Sequence, residues 1–286
     1  MIKQLLMNYW WVILIIIIVL IILAVIIGNL QFKNKIAREK ELLMKSSQPE
    51  ESPVIREEDL ANLPSPVKKW LKSVGVVRQE RIKAVTFSQR GKMKLKPDQK
   101  NWIDAEAKQY VRVDEPGYLW HVNLSMLPLI HTKGRDLFYQ GKGSMEIRLG
   151  SLIPVVNVSD TPKLNESALH RFLLELMWYP TAALEDYITW EAIGQRSAKA
   201  VLSYAGMSVE ATFYFEEDGK LTKIEAMRYK ESDADAERLP CVGEIKGYIN
   251  VDGLKIPHLI DVTWVIDGEN FTWYQLKNHA FKFERK

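Results

Sequence analysis

The sequence predicts a mainly β (α+β) fold: a curved antiparallel sheet, or half-barrel, of about twelve strands enclosing one long helix, with a transmembrane helix ahead of it. Three observations predict this. From Arg81 onward, apolar and polar residues alternate at period two, the pattern of half-buried antiparallel strands. One central stretch, Glu166–Tyr179, switches to three-and-four spacing with apolar residues on two sides. Near the N-terminus, Tyr9–Ile27 holds no charge, proline or glycine.

That run is the first element. At about 1.5 Å of rise per residue it makes a helix close to the roughly 30 Å of a bilayer core, and its backbone groups bond within the helix as lipid requires. Tyr9, Trp10 and Trp11 stand at one end, where amphipathic rings favour the interface. Its rivals are a buried core helix and a cleaved signal peptide; Gly28-Asn29-Leu30-Gln31 is a poor cleavage site for the latter. The expectation is a single-pass anchor in a bacterial cell membrane. Lys3 precedes it and Lys33, Lys35, Arg38, Lys40 and Lys45 follow, so the positive flank favours a cytoplasmic main domain. Phe32–Lys45 reads as a continuation helix, either solvated or touching anionic headgroups.

The expected organisation is 1–45 for the anchor and basic juxtamembrane helix, 46–65 for a polar linker with Pro49 and Pro53, and 66–286 for one β-rich domain. Ser65 is placed to cap a helix that begins at Pro66, carries Val67, Trp70, Leu71 and Val74, and stops at Gly75. Strands follow at 81–87, 102–111, 118–124 and 141–149, with turns at Pro116-Gly117 and around Lys133–Asp136. The long helix starts near Thr161-Pro162 or Asn165 and ends before Pro180. Strands resume at 187–193, 198–204, 208–215, 221–229, 247–251, 254–265, 271–277 and 280–283. Asp218-Gly219, Asp252-Gly253 and Asp267-Gly268 mark tight hairpins, and Ser232–Glu237 reads as a solvated acidic turn. A sheet this large curls, and the central helix is the natural filler of its concave face.

Composition narrows function. The chain of 286 residues has a formal net charge of +3, without the concentrated basic excess of a nucleic-acid binder. The single cysteine, Cys241, permits no disulfide framework. No P-loop, His-Glu-x-x-His or Gly-x-Ser-x-Gly motif occurs. His121, His131, His170, His258 and His279 stand at no metal-ligand spacing and read as surface or hydrogen-bonded residues, so no metal or cofactor is expected.

Certain landmarks recur as a set: Leu63-Pro64, Pro66-Val67, Trp70-Leu71, Gly75; Trp102, Ala105, Tyr110, Trp120; Gly134, Asp136; Gly141, Gly143, Met145. Arg171-Phe172-Leu173, Glu175, Trp178-Tyr179-Pro180, Trp190, Arg228-Tyr229 and Gly253, Ile256-Pro257 complete it. Over about residues 60–286 the chain resembles a bacterial family known only as a domain of unknown function. That resemblance implies no activity. In architecture alone the layout is also similar to the lipoprotein-carrier half-barrels, in which a curved antiparallel sheet holds helices against its concave face. Those carriers work outside the cytoplasmic membrane, whereas the charged flank here leans the other way.

The candidate ligand-binding residues are Arg171, Glu175 and Trp178 on the central helix, Asp136 and Arg228 on strands, and Trp120. Arg171 and Glu175 are four apart and can pair on one face; a covered pair needs further partners, and Asp136 and Arg228 can supply them. Two readings stand side by side: a structural tie between helix and sheet, and a ligand-headgroup site. Glu175 as a catalytic acid lacks a second group, so no catalytic residue is assigned. Seven tryptophans outside the anchor fill a core or line a cavity. The functional expectation is a membrane-anchored, non-enzymatic module that binds a lipid or other hydrophobic ligand. The alternatives are an interaction module of a cell-envelope assembly and, as a minor option, an enzyme.

Overall fold

The computed structural model describes residues 2–45, 54–127 and 130–285. Its strands are β1 (Ile82–Met93), β2 (Ile103–Arg112), β3 (Gly117–Leu127), β4 (Ile130–Tyr139), β5 (Lys142–Leu149) and β6 (Ile153–Ser159), followed by β7 (Ile188–Gly194), β8 (Ser197–Tyr204), β9 (Met207–Phe215), β10 (Leu221–Tyr229), β11 (Arg238–Val251), β12 (Leu254–Ile266) and β13 (Glu269–Arg285). The helices are α1 (Ile2–Met44), α2 (Ser65–Val74) and α3 (Pro162–Leu174). All thirteen strands belong to one sheet in the order β6-β5-β4-β3-β2-β1-β13-β12-β11-β10-β9-β8-β7, and every pairing is antiparallel.

Two meanders, β1–β6 and β7–β13, therefore meet through the β1–β13 ladder, and β6 and β7 lie at opposite edges although they are consecutive strands, with α3 and two short 3-10 turns between them in the chain. Laid flat, twelve strand spacings would put those edges roughly 58 Å apart. The 13-residue α3 spans only about 20 Å. Yet α3 packs against β4 and β5 on one side and β8, β9 and β10 on the other, so the sheet is curled around it. Leu169, Phe172, Leu173, Leu176 and Tyr179 are wholly buried there. The expected open antiparallel sheet curved about a central helix is what forms.

Several details differ from the expectation. The sequence reading lacks two strands. Around β4, Gly134 between charged neighbours reads as a turn, yet it sits mid-strand, where a Cβ would lie 2.9 Å from Val122. β6 carries Pro154 and no clean alternation, features that an edge strand tolerates. β11 begins at Arg238 rather than Gly247. The segments 271–277 and 280–283 are one strand that bends at Ala280, whose φ is +54°. The three Asp-Gly pairs do turn hairpins. Asp252-Gly253 and Asp267-Gly268 are left-handed at both residues, Asp218-Gly219 at the glycine alone, and Gln140-Gly141 and Ala205-Gly206 adopt the doubly left-handed backbone without an Asp or Asn signal.

Helix α2 starts at Ser65 itself, with Pro64 at the cap position and no side-chain cap bond, so Ser65 is not the cap. It ends at Gly75 (φ +89°) as the sequence implies. Its Trp70 lies against Trp190, Phe213 and Phe215. Ile55 and Leu60, in the stretch read as a linker, are buried in the same core, and Ile55 N–H donates to the Gln79 carbonyl at 2.9 Å. The rest of that linker, 46–53, lies outside the described residues. The central helix is shorter than expected. It ends at Leu174, and residues Glu175–Trp178 tighten into a 3-10 turn before Pro180. Tyr179, preceding proline, is driven off helical angles (φ −138°, ψ 64°).

The apolar N-terminal run is part of α1, which continues unbroken to Met44. Its first half is long and apolar enough to cross a membrane and is almost entirely uncovered by the rest of the protein, so it is a candidate membrane anchor or signal sequence. The second half does not stand free as a solvated helix, because one of its faces docks on the sheet. Phe32, Ile36 and Leu43 are buried against Tyr110 and Leu119 on the convex face of the sheet. Glu39 pairs with Arg135 at 2.5 Å, and Lys35 with Glu146 at 2.5 Å.

Candidate functional site

Between α3 and the concave strands lies a cavity of about 410 Å³. Alternation on β3, β4, β5 and β12 aims Trp120, Val122, Leu124, Gly134, Ile147, Ile260 and Val262 into it, and Trp264, Phe271 and Leu276 complete an apolar wall. A groove of about 620 Å³ beside α3 is larger, but Glu166, His170, Lys199, Glu210, Glu225 and Arg238 line it. The first cavity is the candidate site because its lining is predominantly apolar with a few convergent polar groups.

Those polar groups form its floor. Arg171, on the last turn of α3, donates through Nη1 to Asp136 Oδ2 of β4 at 2.6 Å and through Nε to Glu175 Oε1 at 2.8 Å. Gln109 of β2 donates to the other Glu175 oxygen. The guanidinium lies 4.8 Å from the Trp120 ring centre and 5.0 Å from that of Tyr118. Trp120 Nε1 donates to Gln89 Oε1 at 2.6 Å, and Gln89 Nε2 donates to Asn278 Oδ1 at 3.0 Å. A chain of side chains thus runs from α3 across β4, β3, β2, β1 and β13.

Burial works against the charge of Arg171, yet Glu175, Tyr118 and Asp136 together hold its pKa above the ordinary guanidinium value. Asp136 goes the other way: desolvation raises its carboxyl above the usual range, opposed by Arg171, Arg228 and Arg135. Its side chain keeps 27% of its surface accessible and borders the cavity. Burial also raises the Tyr118 hydroxyl, so Tyr118 stays neutral.

The sequence-derived candidates all border this cavity, but they do not act as one cluster. Arg171, Glu175, Asp136 and Trp120 are in direct contact. Trp178 is buried deeper, edge-on to Phe87 with ring centres 5.1 Å apart, and its Nε1 has no partner among the described residues. Arg228 does not join the Arg171–Glu175 pair. It donates from Nε to the Ser167 carbonyl at 3.0 Å and lies over Trp264. Gln89, Gln109 and Asn278 were not anticipated; a polar residue in the inward register of an apolar strand is the signal that could have found them. His170 corrects a sequence expectation, being buried with no hydrogen bond at Nδ1; burial, aided by Arg228, pushes its pKa down to about 4. Among the described residues no group of His, Cys, Asp or Glu is placed to hold a metal.

Comparison with known proteins adds one family. The sequence profile of the group described as "Family of unknown function (DUF6920)" matches residues 61–283. No curated protein matches the chain. Among solved structures, the chain is similar to the crystal structure of LolA superfamily protein NE2245 from Nitrosomonas europaea, with 11% identity, a TM-score of 0.44, and coverage of 78% of this chain and 93% of that one.

Proposed function

This chain belongs to that family of unknown function, and from that premise we propose that it is a membrane-tethered, non-enzymatic binding protein whose concave cavity takes the acyl part of a lipid or another hydrophobic chain. The observation that carries the reading is the cavity of about 410 Å³ with an apolar wall, bordered by α3 and reaching Leu124 on β3 and Ile147 on β5. That volume is within the range of small-ligand sites. Each buried methylene is worth about 0.8 kcal/mol, so even part of an acyl chain offsets the cost of association.

The polar floor divides the work. The Arg171 guanidinium is already shared between Asp136 and Glu175. It ties α3 to β4 and sets the depth of the cavity. Arg228, against Trp264 on the opposite wall, is the residue placed to meet a polar headgroup. Trp120 and Trp178 shape the floor.

The test uses the full chain in proteoliposomes containing a phospholipid with a photoactivatable group at the end of one acyl chain. Peptide mapping is expected to find adducts on β12 around Ile260–Val262, remote in sequence from α1. Adducts confined to residues 9–27 would overturn the reading. A stoichiometric protein cross-link at β6 or β7 without lipid on β12 would favour an interaction module instead.

A further inference from the structure

The packing of α1 fixes where a bilayer would lie relative to the sheet. Its contacts follow the strands in order: the Lys45 carbonyl meets Arg112, Leu43 meets Gly117, Glu39 meets Arg135, Lys35 meets Glu146, and Gly28 abuts Ser151. The register of β2–β5 runs the same way, from Arg112 and Gly117 at one end to Ser125, Thr132 and Leu149 at the other. The apolar run Tyr9–Ile27 therefore leaves the domain at the end where β3 turns into β4 and β5 into β6.

That end is unusually apolar. Met126, Leu149, Leu152, Ile153 and Val155 are all exposed there, with Ile153 60% and Val155 57% accessible. Beside them, α1 and β3–β4 enclose a second cleft of about 410 Å³ lined by Asn29, Phe32, Lys33, His131 and Lys133. Lys133 lies 5.5 Å from the Phe32 ring centre and donates to the Asn29 side-chain oxygen. Lys33 and Lys133 bear on each other, and among the described residues neither has a carboxylate partner. Two converging ammonium groups without a counter-ion, level with the exit of an apolar helix, match the phosphate layer of an anionic membrane. The exposed apolar residues match the layer just beneath it.

We propose that this end of the sheet is a second membrane contact, in which Met126, Leu149, Leu152, Ile153 and Val155 enter the interfacial layer beside α1 while Lys33 and Lys133 hold an anionic lipid phosphate in the cleft between α1 and β4. The proposal rests on the reading of Tyr9–Ile27 as a bilayer-spanning segment. Its consequence is orientational. The candidate cavity reaches Leu124, Thr132, Ile147 and Val156, the same ends of β3–β6, so its contents exchange with the bilayer rather than with water.

The test uses the full chain in lipid nanodiscs, in a Cys241→Ala background, with single cysteines labelled by an environment-sensitive fluorophore and quenched by spin-labelled lipids. Ile17→Cys reports on the anchor, Ile153→Cys on the hairpin end, and Met227→Cys on an exposed site elsewhere. Expected are quenching at 17 by a deep spin label, quenching at 153 by a shallow one, and none at 227. Quenching at 17 without quenching at 153 overturns the second contact and leaves the anchor standing. Its absence at 17 overturns the anchor and this proposal with it. For the lysines, quenching at 153 is expected to rise when phosphatidylglycerol replaces phosphatidylcholine, and Lys33→Glu with Lys133→Glu is expected to abolish that rise. An unchanged rise in the double variant overturns the phosphate site.

Discussion

Removing Arg171 probes the tie between helix and sheet. In Arg171→Ala, Asp136 and Glu175 lose the guanidinium that is held at 2.6 and 2.8 Å from them. Breaking a buried ion pair from one side costs about 3–5 kcal/mol, and losing the cation–π contacts with Trp120 and Tyr118 adds about 1 kcal/mol. These contributions share partners and do not simply add, and Asp136 keeps 27% of its side-chain surface, so the expectation is about 4 kcal/mol. At about 2–4 °C per kcal/mol for a domain of this size, the melting temperature should fall by about 10 °C. Near-UV circular dichroism of the full chain in detergent reads this directly, because tryptophans pack around the floor. Neutralising the orphaned partners should restore much of the loss: Arg171→Ala/Asp136→Asn/Glu175→Gln is expected to melt well above the single variant. A fall under about 2 °C in the single variant, or a triple variant no better than it, would refute the reasoning.

Trp178→Ala should destabilise the protein by about 3–5 kcal/mol in the same melts, whereas Trp178→Phe, which loses no hydrogen bond, should cost far less. His170 has a folded pKa of about 4, below its unfolded value of 6.5, so the fold favours the neutral ring. Its contribution is complete above the unfolded value and is lost as pH falls toward 4. Between pH 7 and pH 5 wild type should lose about 2 kcal/mol more than His170→Gln, as urea titrations at the two pH values would show. Ile147→Asp puts a charge on the apolar wall of the cavity; labelling of β12 by the photoactivatable lipid should drop while the melting temperature changes little, because the side chain is only half-buried.

The sheet was legible because period-two alternation and Asp-Gly turns are local signals, and the curl followed from strand number and one central helix. β4 and β6 were hidden by Gly134 and Pro154, residues that read as turn or breaker unless the neighbouring strand or the free edge is known. The Arg171–Glu175 pair could be read from helical spacing, and Asp136 followed as the carboxylate that a covered guanidinium needs. The place of Arg228 could not, since one strand register decides whether it faces Glu175 or Ser167. Docking of Phe32 and Ile36 on Tyr110 and Leu119 was invisible for a related reason. A polar strand face looks the same in sequence whether water or another helix covers it.

The central claim is that a chain-shaped apolar ligand lies between α3 and the concave strands, entering from the bilayer side. A crystal structure of the full chain grown from a lipidic mesophase tests it most directly. The account predicts elongated non-protein density between Leu124, Ile147 and Val262, with Arg171 still joined to Asp136 and Glu175 beneath it. Side chains of β3, β5 and β12 collapsed onto α3, with no space left between them, would contradict it.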